Sequence, residues 1–343
     1  MIQIIKKYYP LGIAFVFSFL WLIGCSSDLS KLLYNQGFLQ DDYRYGDLYR
    51  LSNLPQFRIP VEKCSNPALS KIKNSNLILL GDSFTEEGRI GAEHFITEGY
   101  KRYFVAADTN FTRLDTSKTN VLIIETVERH VRERFAKPFR NLKIVNSPQS
   151  THLAKEKKGG EVDILKDLQE FEIPYKTERH ESALFSSDFA LSIKEAKAWF
   201  NWKFFDRTDS MVVVTKDGQN ILYGVDVKNG VNSCFDEVSD DEIDKIVENL
   251  NDTYNHYRKL GFDEVYLTIC PNKTSIVAPN IGKYNRIIER IQLHQNLKMP
   301  FFDVFSPFSS SKTLLYDKGD THWNCAGKQV WIDKVNESLK KIL

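Results

Sequence analysis

At 343 residues, 42% hydrophobic and 27% charged, with only 17 Gly and 11 Pro, the chain has a globular composition that excludes disordered and fibrous classes. Its 46 Lys+Arg against 45 Asp+Glu leave a formal charge of +1, so the basic excess of a nucleic-acid binder is missing.

Lys6 and Lys7 precede an apolar run from Leu11 to Ile23, interrupted only by Gly12 and Ser18 and ending Leu22-Ile23-Gly24-Cys25. A positive start, an apolar core of about a dozen residues and a small residue before the break make an export signal. Leu-Ile-Gly-Cys fits a bacterial lipobox, in which Cys25 is lipidated and becomes the mature N-terminus. Counted from Tyr8, the stretch is also long enough for an uncleaved signal-anchor with both lysines held inside. Either reading puts the rest of the chain outside the cytoplasm, tethered to a bacterial membrane on its periplasmic or cell-surface face. Cys64, Cys234, Cys270 and Cys325 then remain. Export permits disulfides, and three pairings stay open. No CxxC spacing occurs, so no metal site is expected.

Residues 26–70, with Tyr43, Tyr45, Tyr49 and Pro55, read as a linker and cap. Leu77 to Leu80, closed by Gly81, reads as a buried parallel strand. Val121 to Ile124 repeats the pattern and is followed by a helix-like Thr126 to Phe135. An insertion is expected over about 150–210, charged up to about 185 and then an aromatic-rich helix around Ile193 to Phe205. Short strands follow at Met211–Val214 and Ile221–Val225. Ile243, Ile246, Leu250 and Tyr254 recur at helical spacing within Asp240–Leu260. Val265–Ile269 and Phe301–Val304 read as strands, Lys283–Leu293 as a helix. A final helix begins near Asn324, with Trp331, Val335 and Leu339 on one face. Alternating strands and helices predict an α/β fold with a mostly parallel sheet flanked by helices, as one enlarged domain over 71–343.

Two motifs carry chemistry. In Gly81-Asp82-Ser83-Phe84-Thr85, a Gly turn after a buried strand lifts Ser83 to the carboxyl edge of the sheet, and the following amides can stabilise an oxyanion. An ordinary capping turn is the plain alternative. In Asp320-Thr321-His322-Trp323-Asn324, extended backbone puts i and i+2 on one side, so Asp320 can orient His322 as the base for Ser83. Asn324 reads as the N-cap of the last helix. None of the other six histidines follows an Asp by two residues. No GxGxxG or Walker loop occurs, and no cofactor is expected.

GDSF after a strand, with Asp-x-His before a terminal helix, resembles the SGNH (GDSL-like) hydrolase superfamily. Val121 to Arg129, including Glu125 and Glu128, is similar to a strand-plus-Glu-Arg segment of periplasmic alginate O-acetyltransferases. Pro271-Asn272-Lys273-Thr274 and Tyr316 to Asn324 are similar to their Pro-x-Lys and DTHW segments. The likeness spans most of residues 70–340. It departs in motif order, since Ser83 comes first here, and in lacking a Gly-x-Asn-Asp motif for the oxyanion hole. The resemblance implies a three-layer, flavodoxin-like sandwich with Ser83 as nucleophile, His322 as general base and Asp320 orienting it. Gly81, Asp82, Arg129, Asn272 and Trp323 are the candidates for oxyanion or substrate contacts. For Arg129, an ion pair with Glu125 or Glu128 is the structural alternative, and for Trp199, Trp202 and Trp323 core packing competes with sugar stacking. The implied activity is O-acetyl transfer to an exported or cell-surface polysaccharide, with a polytopic membrane O-acyltransferase as partner and acetyl donor. A carbohydrate esterase with the same three residues is the alternative, and a non-catalytic polysaccharide-binding lipoprotein a third.

Overall fold

The computed structural model describes residues 2–39, 43–65, 69–145, 177–228 and 230–343. Most of the expected charged stretch 150–185 lies outside the described residues. Two compact units emerge, Met1–Pro60 with Thr151–Thr208, and Val61–Ser150 with Asp209–Leu343.

The first unit is helical. Its Ile2–Cys25 helix contains an apolar stretch, Tyr8–Cys25, with mean hydropathy 1.7 over 18 residues, long and apolar enough to cross a membrane. Cys25 ends that helix and is buried. The helix packs against Thr177–Leu184. The Asp188–Phe205 helix follows, N-capped by Ser187, and its Glu195 accepts a hydrogen bond from Tyr49.

The second unit holds a five-stranded parallel sheet. The chain supplies β1 (Ile72–Gly81), β2 (Thr97–Phe104), β3 (Asn110–Thr112), β4 (Thr119–Val127), β5 (Leu142–Ile144), β6 (Val212–Val214), β7 (Ile221–Tyr223), β8 (Glu264–Cys270) and β9 (Phe301–Phe302). The main sheet runs β2-β1-β4-β8-β9, every pairing parallel. β3 and β5 pair separately, and β6 and β7 form an antiparallel hairpin. Alternate residues of each strand face opposite layers, as the two-residue period of a strand requires. Ile78, Leu80, Leu122 and Ile124 join one core with Ile243, Ile246 and Leu250 of the Asp240–Lys259 helix. Leu77, Leu79, Val121 and Ile123 join a second with Trp331, Val335 and Leu339 of the Cys325–Ile342 helix. Helices therefore cover both sheet faces, a three-layer α/β sandwich.

Several boundaries differ from expectation. Thr126 and Val127 belong to β4, paired with Ile269 and Cys270, because these buried β-branched residues extend the ladder; only Val131–Arg134 is α-helical beyond them. The expected Lys283–Leu293 helix contracts to Ile287–Gln292, preceded by Arg286 in left-handed backbone. The last strand is only Phe301–Phe302. The sheet order reverses between β1 and β4, and open α/β sheets form their binding crevice beyond the carboxyl ends of such strands.

Candidate active site

Gly81 ends β1 where the chain must turn tightly. A Cβ there would lie 1.9 Å from Thr85 Oγ1 and 3.0 Å from Glu125 Oε2, so only glycine fits. The space belongs to Glu125, whose Oε2 accepts from Asp82 N at 2.9 Å and Thr85 Oγ1 at 2.9 Å. Burial, then the Asp82 charge, push the Glu125 carboxyl well above its ordinary range. Asp82 points inward as well, accepting from Phe84 N at 3.0 Å and Val127 N at 2.8 Å. Arg102 donates to the carbonyls of Gly81 and Asp82 at 3.0 and 2.6 Å. Gly81 and Asp82, expected as oxyanion or substrate contacts, are thus committed to building the turn. Three of its amides are occupied too, Asp82 N and Phe84 N by carboxylates and Thr85 N by Asp82 O at 3.3 Å. The Ser83 amide, among the described residues, keeps no such acceptor.

The turn lifts Ser83, partly exposed, toward His322. Ser83 Oγ lies 2.8 Å from His322 Nε2, and His322 Nδ1 lies 2.5 Å from Asp320 Oδ1, which also accepts the His322 backbone N–H at 2.9 Å. The i, i+2 spacing works through one carboxylate oxygen that holds both the backbone and the ring. Burial alone would raise the Asp320 carboxyl, but the His322 charge and hydrogen bonds, with Arg89, hold it well below the ordinary range. Asp317 is half-buried, and partial desolvation, then the Asp320 charge, push its carboxyl up to about 6.

A closed loop presents these residues. Tyr316 and Trp323 form an antiparallel bridge, Asp317 N donates to His322 O at 3.0 Å, and Asn324 caps the final helix through Gly327 N at 3.0 Å. Inside the loop sits Lys273, fully buried, its Nζ donating to the carbonyls of Asp317, Lys318 and Asp320 at 2.8, 2.9 and 3.1 Å. Cys64 and Cys325 are disulfide-bonded, tying the segment before β1 to the first residue of that helix. Cys234 and Cys270 are buried thiols.

Three candidates take other places. Arg129 pairs with Asp226, Nε to Oδ1 at 2.8 Å, and not with Glu125 or Glu128, because Asp226 is brought beside it by the short Gly224–Val227 helix. Asn272 is fully buried, its Nδ2 donating to Cys234 Sγ at 3.1 Å and its Oδ1 accepting from Arg129 N at 3.3 Å. Its side chain is therefore not offered to substrate. Trp323 is 3% exposed and packs edge-on against Phe84 with ring centroids 5.0 Å apart, so it is core and not a sugar platform. Phe84 also rests on the His322 ring at 4.8 Å and so links the two motifs.

Beside Ser83 opens a cavity of about 480 Å³, lined among others by Phe104, Arg129, His130, Arg134, Lys137 and Phe139. Arg129 reaches it although paired. His130 is lowered by burial, then by Arg129 and Arg134, which favours a neutral ring. The arrangement brings together a hydroxyl, a base already hydrogen-bonded to it, an oriented carboxylate and space for a reacting group. No family model, curated protein or solved structure matches the chain.

Proposed function

We propose that the protein is a membrane-tethered, extracytoplasmic O-acetyltransferase that modifies an exported or cell-surface polysaccharide through an acyl-serine. The observation that carries this reading is the continuous line Ser83 Oγ–His322–Asp320, whose Ser83 also lines the adjoining cavity. His322 Nε2 takes the Ser83 proton as Oγ attacks the carbonyl of an acetyl ester, and then gives that proton to the departing donor oxygen. A sugar hydroxyl next gives its proton to His322 and attacks the acyl-serine; His322 passes that proton to the departing Ser83 Oγ, which restores both residues and leaves the sugar acetylated. The Ser83 amide supplies one oxyanion donor. Acetyl-CoA is absent outside the cytoplasm, so the donor is a polytopic membrane acyltransferase. The resemblance to SGNH enzymes and the Tyr8–Cys25 helix, as signal-anchor or as a lipid anchor at Cys25, support the same reading.

The test is incubation of the full-length protein with a chromogenic acetyl ester and an oligosaccharide, followed by mass spectrometry. Acetylated sugar formed by the native chain and lost in Ser83→Ala, with folding unchanged, is the expected result. Free acetate with no acetylated sugar would assign an esterase, and undiminished activity in Ser83→Ala would overturn the nucleophile.

A further inference from the structure

The Asp188–Phe205 helix is apolar on the wrong side. Its inner side carries Glu195, bonded to Tyr49 and 3.6 Å from Arg58. Steps of four, seven and four residues place Phe189, Ile193, Phe200 and Phe204 on one opposite stripe. They are 78%, 57%, 48% and 65% exposed. Scattered exposed apolar residues are ordinary, but four large ones in register on one helix mark a surface with a partner.

The flanking charge says what kind. Lys197 and Lys203 are exposed on either side of the stripe, Lys203 lying over the Trp202 ring at 4.0 Å and Arg207 over Phe205 at 5.7 Å. The acidic groups within the helix are turned away, Glu195 inward and Asp188 toward Arg44 and Arg58 at 3.2 and 2.6 Å. Aromatic residues edged by cations match the boundary between headgroups and acyl chains of an anionic bilayer. The same unit supplies the level. Ile23 to Cys25 are buried by protein while Tyr8, Phe15 and Phe17 stand bare, so the apolar helix leaves the protein near Ile23. The Thr177–Leu184 helix packs against it, and only residues 185–187 separate that helix from the aromatic one.

We infer that the stripe Phe189, Ile193, Phe200 and Phe204 lies in the surface of an anionic lipid bilayer, a second membrane contact beside the N-terminal helix. This inference rests on the membrane reading of Tyr8–Cys25 and not on acyl transfer. The test uses the full chain in vesicles of phosphatidylethanolamine and phosphatidylglycerol, with the photocrosslinker p-benzoylphenylalanine placed singly at Phe15, Phe200 or Phe204. Lipid adducts at all three positions are expected, and Lys197→Gln with Lys203→Gln should lower the yield at Phe200 and Phe204 severalfold while leaving Phe15 unchanged. Adducts at Phe15 alone, or crosslinks from Phe200 and Phe204 to a second copy or another part of the chain, would overturn the stripe. No adduct at Phe15 would overturn the membrane helix, and the stripe with it.

Discussion

Asp320 concentrates two tasks in one atom, since Oδ1 receives both the His322 amide and its ring. Asp320→Asn keeps the shape but permits the wrong ring tautomer, so kcat for acyl release should fall by roughly 10⁴ with the fold intact. A fall of less than about tenfold in steady-state kinetics would deny the carboxylate that role. Lys273 acts one step further out, because its ammonium satisfies three carbonyls of the loop that presents His322. Lys273→Met should cost about 3 kcal/mol of stability, read from the urea midpoint, and lower kcat more than KM changes. The Asp-x-His and Gly-Asp-Ser signals were readable because each lies within three neighbouring residues. The part played by Lys273 was not, since its acceptors lie 44 to 47 positions away. Nor was the Arg129 partner, Asp226, 97 positions on, where nearer Glu125 and Glu128 looked sufficient.

The elements were legible where burial and periodicity agree. The runs 77–80 and 121–124 lie in β1 and β4, and the spacing of Ile243, Ile246 and Leu250 in a helix that covers them. Legibility failed at edges set by partners, as at Thr126 and Val127, whose strand character comes from β8 alongside. Close approach also escapes a reading of the sequence. At Gly327 a Cβ would meet Leu315 O at 2.3 Å, which lets the last helix press against the His322 loop. Gly81→Ala probes the first turn, where the added methyl must displace Thr85 or Glu125. A stability loss of about 2 kcal/mol in urea unfolding is expected, with kcat reduced as Ser83 shifts. An unchanged midpoint and unchanged kcat would show that the turn relaxes freely.

Across the sheet-bearing unit, buried acids set the response to pH. Burial pushes the Glu128 carboxyl up to about 7 against the hydrogen bonds from Ser275 and Asn272, compared with 4.5 when unperturbed. The folded state thus keeps a proton that the unfolded chain releases, and stability falls as pH rises from 4.5 to about 7. Asp320 has the opposite sign, its contribution being present above 3.8 and lost as pH falls. Glu128→Gln should remove up to about 3 kcal/mol of the fall between those limits. Urea midpoints at about pH 5 and about pH 8 check this, and an unaltered slope would count against the shifted group. The disulfide acts at the same scale. Reduction should cost about 2 to 5 kcal/mol, seen as a lower urea midpoint in reductant. The sequence left its pairing open because Cys64 and Cys325 are separated by 261 positions.

That bond has a further consequence. Ser83 and His322 both lie between Cys64 and Cys325, so the intervening chain is a covalent ring closed through sulfur. A protease that cuts the exposed Lys216–Asp217 turn between β6 and β7 would open the ring without releasing either piece. Such a clip should appear as two fragments on a reducing gel and as one full-size band without reductant. After such a cut Ser83 and His322 would remain in one molecule, where without the bond only packing would join them.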